Sequence, residues 1–247
     1  RMVSLMNEYL TVMSKVILDN QGTLDKYIGD AIVAFYGAPA PVADHEIKSC
    51  YTALAMQKSL DELRLKWREE DNWPDIVYSM QHRIGLNCGP MVTGNMGSEM
   101  RMNYTMMGDT VNLAARLESS AKQYGVYNFV GENIYEAAKT NFAFRFLDFV
   151  KVKGKNIPVK VYELVSDKNE ILSENIDLIK LFEQGIDHYF KQEWKRALNK
   201  FKQSENLEDK FESRNTTPSQ IYIERCKMFM ENPPDKDWDG VWKMTSK

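Results

Sequence analysis

The chain has 247 residues, of which 43% are hydrophobic and 27% charged, and its formal net charge is −3. This near balance argues against a general nucleic-acid-binding protein, and no apolar run approaches the ~18 residues of a membrane span. The three cysteines and three histidines show no metal-ligand spacing, which argues against a zinc site. Together these features predict a soluble, cytosolic protein with reduced thiols.

The first two thirds of the chain mix helices and strands without regular alternation. The predicted helices cover residues 1–18, 44–70, 108–124 and 132–140. The predicted strands cover residues 23–28, 31–36, 77–88, 126–130, 144–152 and 159–164, with a further hairpin punctuated by glycines between residues 89 and 95. This mixture predicts an α+β fold with a largely antiparallel sheet.

Three local features accompany these elements. Gly22 is predicted to cap the first helix, and Asp44 is predicted to cap the second. The charged stretch 64–74 is predicted to project from the core. Because the chain starts inside or at the edge of a helix, we expect it to be a fragment of a longer protein.

A polar stretch at residues 166–174 separates this part of the chain from a helical tail. The tail helices are predicted at residues 176–190, 194–207 and 218–230. Within them, tetratricopeptide-like spacing is shown by Gly185, Tyr189, Trp194, Ala197 and Phe201. One such unit is too short for a solenoid, so residues 166–247 are predicted to be a linker and a small α-helical C-terminal extension. Its role is either protein docking or stabilisation of residues 1–165.

Two pairs of polar residues carry the candidate chemistry. Asn112 and Arg116 lie four residues apart on one face of a helix that begins at residues 108–110. An amide and a forked cation near a helix N-terminus suit a triphosphate. Lys26 and Asp30 flank a tight hairpin turn. Taken separately, each pair is more often an ordinary solvated surface.

Together these residues resemble the catalytic domain of the class III adenylate and guanylate cyclases. The matching segments, in the order in which that family has them, are residues 26–39, 83–90, 94–98, 104–118 and 152–155. The resemblance covers about residues 1–165 and implies a ferredoxin-like nucleotidyl cyclase core. It also implies a head-to-tail homodimer with two sites at its interface.

The resemblance assigns roles to individual residues. Asp30 would bind the catalytic Mg²⁺ or Mn²⁺ on one protomer. The other protomer would supply four residues: Lys26, Thr105, Asn112 and Arg116. Asn112 would orient the ribose of ATP, and Arg116 would meet charge developing at the α-phosphate. Lys153 or Lys155 would reach the terminal phosphates. The implied reaction is attack of the ribose 3′-hydroxyl on the α-phosphate, which yields 3′,5′-cyclic AMP and pyrophosphate.

The base-binding positions favour adenine. Lys26 can only donate a hydrogen bond, which suits adenine N1, and guanine-specific relatives have glutamate at this position. Thr105 stands where many adenylate cyclases have aspartate. Its hydroxyl accepts from the adenine amino group but can also donate, so discrimination against guanine is expected to be looser. With threonine at this position, the chain resembles a largely bacterial subgroup of adenylate cyclases that is linked to bicarbonate stimulation.

One family feature is missing from the sequence. The first metal-binding aspartate lies on a strand ahead of the opening helix, and Asp25 and Asp148 do not replace it. With Asp30 alone, this polypeptide is expected to be inactive or weak, although its parent is expected to be an active cyclase. The resemblance implies a sensor domain upstream and a cytoplasmic catalytic domain, and leaves membrane anchoring of the parent open.

Two alternatives to an adenylate cyclase remain. A guanylate cyclase is disfavoured by Lys26. A degenerate cyclase-like module that serves only in dimerisation or signalling is disfavoured by the joint presence of Lys26, Asp30, Asn112 and Arg116.

Overall fold

The computed structural model describes residues 1–150, 158–209, 214–235 and 237–241. Its helices are α1 (Met2–Asp19), α2 (His45–Glu70), α3 (Asp75–Tyr78), α4 (Asp109–Tyr124), α5 (Glu132–Ala138), α6 (Ser173–Phe190), α7 (Trp194–Glu205) and α8 (Pro218–Glu231). Its strands are β1 (Thr23–Ile28), β2 (Ala31–Phe35), β3 (Ile84–Leu86), β4 (Val92–Ser98), β5 (Arg101–Met107), β6 (Asn128–Gly131), β7 (Phe142–Val150) and β8 (Val159–Asp167). None of the helices among these residues is long and apolar enough to span a bilayer.

A four-stranded sheet with the order β3-β6-β8-β7 forms the centre of the molecule. β3 pairs with β6 in parallel, and the other two pairs are antiparallel. Because side chains alternate along a strand, the sheet buries both faces. Val130 and Tyr162 pack towards α2 and α5, while Phe129 and Val161 pack towards α4.

Two separate antiparallel hairpins, β1-β2 and β4-β5, lie beside this sheet. The β4-β5 hairpin turns at residues 99–100, so Gly94 and Asn95 lie inside β4 rather than at the predicted turn. The β1-β2 hairpin turns at Gly29 and Asp30, as predicted.

The charged stretch 64–74 does not project from the core. The side chain of Trp67 is fully buried among residues of α1 and α2. Its indole Nε1 donates to Glu8 Oε2 at 2.9 Å, which satisfies its one donor. The prediction was wrong because the charged residues occupy only the outer face of α2, and the inner face covers α1.

Three further local predictions differ from the structure. Residues 77–88 form a strand only over β3, because α3 occupies the start of this segment. Gly22 does not cap α1; the left-handed residue is Gln21, with φ 64°. A Cβ on Gly22 would lie 2.6 Å from Ile17 Cγ2, so the glycine allows close packing there. Asp44 does occupy the N-cap position of α2, but its side chain makes no capping hydrogen bond.

The last tail helix, α8, packs against the sheet through buried polar contacts. Arg225 Nη1 of α8 donates to Asp148 Oδ2 of β7 at 2.7 Å, and both side chains are almost completely buried. Tyr222 Oη donates to the Leu147 carbonyl at 2.7 Å. The tail therefore shares an interior with the sheet.

A second buried ion pair joins β7 to the segment after α7. Arg145 Nη1 donates to Glu208 Oε1 at 2.6 Å, and Arg145 Nη2 donates to Glu163 Oε2 at 2.6 Å. Burial by itself would raise the pKa of Glu208, but the Arg145 guanidinium outweighs this effect and holds the pKa below its usual value. These charges are stable in the interior because each one is paired.

Gly185 sets the separation between α6 and α7. A Cβ at this position would lie 2.6 Å from Cε1 of the buried Phe201 ring. Gly185→Ala is therefore expected to lower the free energy of unfolding by about 1–3 kcal/mol, as overpacking does in other cores. Chemical denaturation measures the change. Gly94→Ala is the control, since nothing lies within 4 Å of a Cβ there; equal effects of the two substitutions would contradict the packing argument.

Candidate active site

The N-terminal end of α4 presents the first pair of candidate residues. Gly108 precedes the helix with φ 147°, a backbone conformation that favours glycine. Asn112 and Arg116 are exposed side chains one turn apart on α4. The structure thus places the amide and the guanidinium on one helix face, in the first two turns, as the sequence predicted.

A glycine in β3 lets α4 approach the sheet closely. A Cβ on Gly85 would lie 2.3 Å from the Ala114 carbonyl oxygen and 2.5 Å from the Glu118 backbone nitrogen. Only a residue without a side chain fits this contact. The close packing fixes the position of α4, and therefore of Asn112 and Arg116, relative to the sheet.

The second candidate group joins β1 to β5. Lys26 Nζ donates to Thr105 Oγ1 at 3.1 Å. The Thr105 hydroxyl in turn donates to Asp25 Oδ2 at 2.6 Å. The other oxygen, Asp25 Oδ1, lies 3.5 Å from Lys26 Nζ, and only 2% of the Asp25 side chain is exposed. The structure therefore brings together Lys26 and Thr105, which are 79 positions apart in the chain, and adds Asp25.

A β-bulge explains how two consecutive residues of β1 reach the same hydroxyl. Leu24 pairs with Ala34 and Lys26 pairs with Val33, which leaves Asp25 without a partner in the register. In a regular strand, residues 25 and 26 would point to opposite faces. The extra residue at a bulge changes this alternation. Sequence reasoning treated Asp25 only as a poor substitute for a metal ligand; its position beside Lys26 was the available signal.

Of the three aspartates considered as metal ligands, Asp30, Asp25 and Asp148, Asp30 alone is exposed. Asp30 is exposed at the turn between β1 and β2, and it fits a divalent ion whose other ligands are phosphate oxygens and water. Asp25 Oδ2 already accepts a hydrogen bond from Thr105 Oγ1. Asp148 is buried and accepts hydrogen bonds from Tyr124 and Arg225. Neither of these two is available as a second ligand. The predicted phosphate-binding residues Lys153 and Lys155 lie outside the described residues.

One known protein family matches the first two thirds of this chain. The profile of the adenylate and guanylate cyclase catalytic domain matches residues 1–166. The chain belongs to this family. The class III cyclase assignment and the mixed α+β cyclase fold predicted from the sequence are therefore confirmed.

Curated relatives include adenylate cyclases from distant organisms. The terminal-differentiation specific adenylate cyclase of Dictyostelium discoideum is 31% identical over 233 residues, which cover 91% of this chain and 10% of that protein. The adenylate cyclase of Anabaena cylindrica is 34% identical over 164 residues, which cover 64% of this chain and 31% of that protein. This chain thus spans less than a third of the length of either relative. The longer of the two alignments must also include most of the helical tail.

Solved cyclase structures share the fold. The adenylyl cyclase CyaB from P. aeruginosa superposes with a TM-score of 0.59 at 31% identity, over 69% of this chain and 85% of that one. The guanylyl cyclase Cya2 superposes with a TM-score of 0.57 at 29% identity, over 68% of this chain and 82% of that one. Because the cyclase fold carries both nucleotide specificities, the choice of base depends on individual side chains.

Proposed function

We propose that this cyclase domain converts ATP to 3′,5′-cyclic AMP and pyrophosphate. The observation that carries the proposal is the hydrogen-bonded group formed by Lys26, Thr105 and Asp25. Adenine presents an acceptor at N1 and a donor at the N6 amino group, and guanine presents the reverse at the corresponding edge. A site for adenine therefore needs one donor and one acceptor in matching positions.

Asp25 makes Thr105 an acceptor. A hydroxyl has one hydrogen, and Thr105 commits it to the Asp25 carboxylate at 2.6 Å. One of the two lone pairs of the hydroxyl oxygen accepts from Lys26 Nζ at 3.1 Å, which leaves the other lone pair as an acceptor. In this arrangement Lys26 donates to N1 and Thr105 accepts from the N6 amino group. Threonine with a buried aspartate behind it thus acts as an aspartate would, and discrimination against guanine is tighter than threonine alone would provide.

The catalytic step would depend on the α4 residues. The ribose 3′-oxygen forms a bond to the α-phosphorus, the bond from that phosphorus to the bridging oxygen breaks, and pyrophosphate leaves. Asn112 would hold the ribose, and Arg116 would stabilise negative charge on the α-phosphate oxygens. A Mg²⁺ or Mn²⁺ ion bound with Asp30 would offset the charge of the triphosphate.

A homodimer with composite sites is part of the proposal. Large apolar side chains remain exposed along the two hairpins, which is unusual for a surface with no partner. They are Tyr27, Ile28, Val92, Met100, Met102 and Met107. In the composite sites that the resemblance to the cyclase family implies, Asp30 of one protomer would face Asn112 and Arg116 of the other.

The tail is proposed to stabilise the catalytic domain of residues 1–165. Its buried contacts to Asp148 and Arg145 support this role. A docking surface for another protein would not require charged side chains of the tail to be buried against the sheet.

Product analysis tests the choice of base. The full-length protein, incubated with Mn²⁺ and either ATP or GTP, is expected to form mainly cyclic AMP. Lys26→Glu is expected to lower the ratio of kcat/KM for ATP over GTP by more than about tenfold, because glutamate accepts where adenine N1 requires a donor. Asp25→Leu removes the oxygen that accepts the Thr105 hydrogen and is expected to lower the same ratio roughly tenfold, the value of one hydrogen bond to a charged group.

Asp19→Leu is the matched control for Asp25→Leu. Asp19 is an exposed carboxylate of α1 that pairs with Lys15, so its loss should leave the ratio unchanged. An unchanged ratio in Lys26→Glu would refute the assignment of base recognition. An unchanged ratio in Asp25→Leu alone would refute the orientation of Thr105.

A further inference from the structure

A cysteine, a histidine and a glutamate converge at the start of α2. Cys88 Sγ lies 3.5 Å from His45 Nε2 and 3.3 Å from Glu46 Oε1. His45 Nε2 lies 3.2 Å from Glu46 Oε1. Each of the three atoms is therefore close to both of the others. In the part of the chain that the structure describes, this is the one group of three such ligand atoms.

The triangle has the dimensions of one face of a tetrahedral zinc site. Zinc bonds of about 2.3 Å to sulfur, 2.0–2.1 Å to nitrogen and 2.0–2.2 Å to oxygen, at tetrahedral angles, separate the ligands by about 3.3–3.6 Å. The three observed separations agree with these values to within about 0.3 Å. We propose that Cys88, His45 and Glu46 bind one Zn²⁺ ion, with the fourth position open to water. The proposal does not depend on the cyclase reaction.

The fold brings the three ligands together from two elements. His45 and Glu46 are the first two residues of α2, and Cys88 follows the end of β3. Apolar packing between α2 and β3 holds these ends in place, with Cys50 buried beside Leu86. Asn133 Nδ2 donates to the Cys88 carbonyl at 2.8 Å, which fixes the backbone of the loop. Supporting contacts of this kind orient metal ligands in known sites.

The site is open enough for an ion to enter. The side chains of His45 and Glu46 are 41% and 22% exposed, and Cys88 is half-buried. By contrast, Cys50 and Cys226 are buried. Access from one side leaves room for a water ligand at the fourth position.

The alternative use of such a group is a reactive thiol. The Cys88 thiol donates to Glu46 Oε1 at 3.3 Å, and a carboxylate this close disfavours the negatively charged thiolate. A nucleophilic cysteine needs the opposite effect. The mixture of a soft sulfur, an imidazole and a carboxylate also suits zinc rather than Mg²⁺, which prefers oxygen ligands. The thiol proton is released to solvent when zinc binds.

Metal titration of the purified chain tests the proposal. Zn²⁺ binding is measured by competition with a chromophoric chelator in excess Mg²⁺, and one ion per chain is expected. Co²⁺ is used as a spectroscopic substitute and is expected to show a thiolate-to-cobalt charge-transfer band. Cys88→Ser should abolish that band. Both Cys88→Ser and His45→Gln should weaken Zn²⁺ binding by more than roughly 100-fold, since loss of mere supporting contacts already costs about 10–100-fold.

Two controls make the result decisive. His188→Gln is the first control. His188 pairs with Glu193 and is not a member of the Cys88, His45 and Glu46 group, so this substitution should leave zinc affinity unchanged. Thermal melting of each metal-free variant checks folding, and His45→Gln alters a side chain that is 41% exposed. Absence of the charge-transfer band in the wild type would overturn the proposal. So would zinc affinity that is equal in the wild type and the two ligand variants.

Discussion

Replacing Arg116 with alanine in the full-length protein is expected to lower the turnover number of ATP cyclisation by on the order of 10³. This is the scale on which phosphoryl-transfer enzymes depend on an arginine that meets charge in the transition state. Arg116 lies on the exposed face of α4, one turn after Asn112. The measurement is kcat from the initial rate of cyclic AMP formation at saturating ATP.

The stability of this variant separates a catalytic from a structural effect. Because Arg116 is exposed, the free energy of unfolding should change by no more than about 1 kcal/mol, the upper value of a surface ion pair. Arg116→Lys keeps the charge but loses the planar fork, and intermediate activity is expected. Lys122→Ala removes an exposed cation from the last turn of the same helix and should leave kcat unchanged. A loss of less than about tenfold in Arg116→Ala would contradict the role given to this residue.

Replacing Arg225 with methionine is expected to lower the free energy of unfolding by about 3–5 kcal/mol, the usual cost of leaving a buried charge without its partner. The side chains of Arg225 and Asp148 are 6% and 1% exposed, and their atoms are 2.7 Å apart. After the substitution, Asp148 retains hydrogen bonds from Tyr124 and from the Phe149 backbone. Neither of these donors carries a positive charge. Chemical denaturation measures the change.

A double substitution distinguishes charge from packing. Asp148→Asn removes the charge that Arg225→Met leaves unpaired, so the double variant should be more stable than the sum of the single effects predicts. Arg196→Met is the control, because Arg196 is 71% exposed and pairs with Glu193 on the surface; it should change stability by less than about 1 kcal/mol. A comparable loss in Arg196→Met, or additive effects in the double variant, would argue against a stabilising role for the tail.

Local sequence signals predicted most elements because their causes are local. The apolar periodicity of α1 and the turn at Gly29 and Asp30 each act over a few residues, and both were predicted within a residue or two. α4 was predicted for the same reason. The failures arose where a distant part of the chain decides the environment. Trp67 reads as part of a charged surface, but α1 covers it and turns it into core.

The same division holds for the candidate site. Asn112 and Arg116 share a face because of helix geometry, which four residues of sequence contain. Asp25 could not be placed, because strand periodicity puts it on the face opposite Lys26. The bulge that changes this depends on how β1 pairs with β2. The Cys88, His45 and Glu46 group was missed because zinc-site patterns rely on short spacings, and this cysteine is 42 residues from Glu46.

The sequence alone determined the family, the helix that carries Asn112 and Arg116, and the donor at Lys26. Those properties depend on residue type and on contacts within a few positions of the chain. The tertiary structure decided that Thr105 donates its hydrogen to Asp25, that the tail shares buried charges with the sheet, and that a thiol meets an imidazole at α2. Each of these requires two segments far apart in the chain to come within hydrogen-bonding distance. These distances depend on which side chains are buried and on the register of the strands, and no local sequence pattern specifies either.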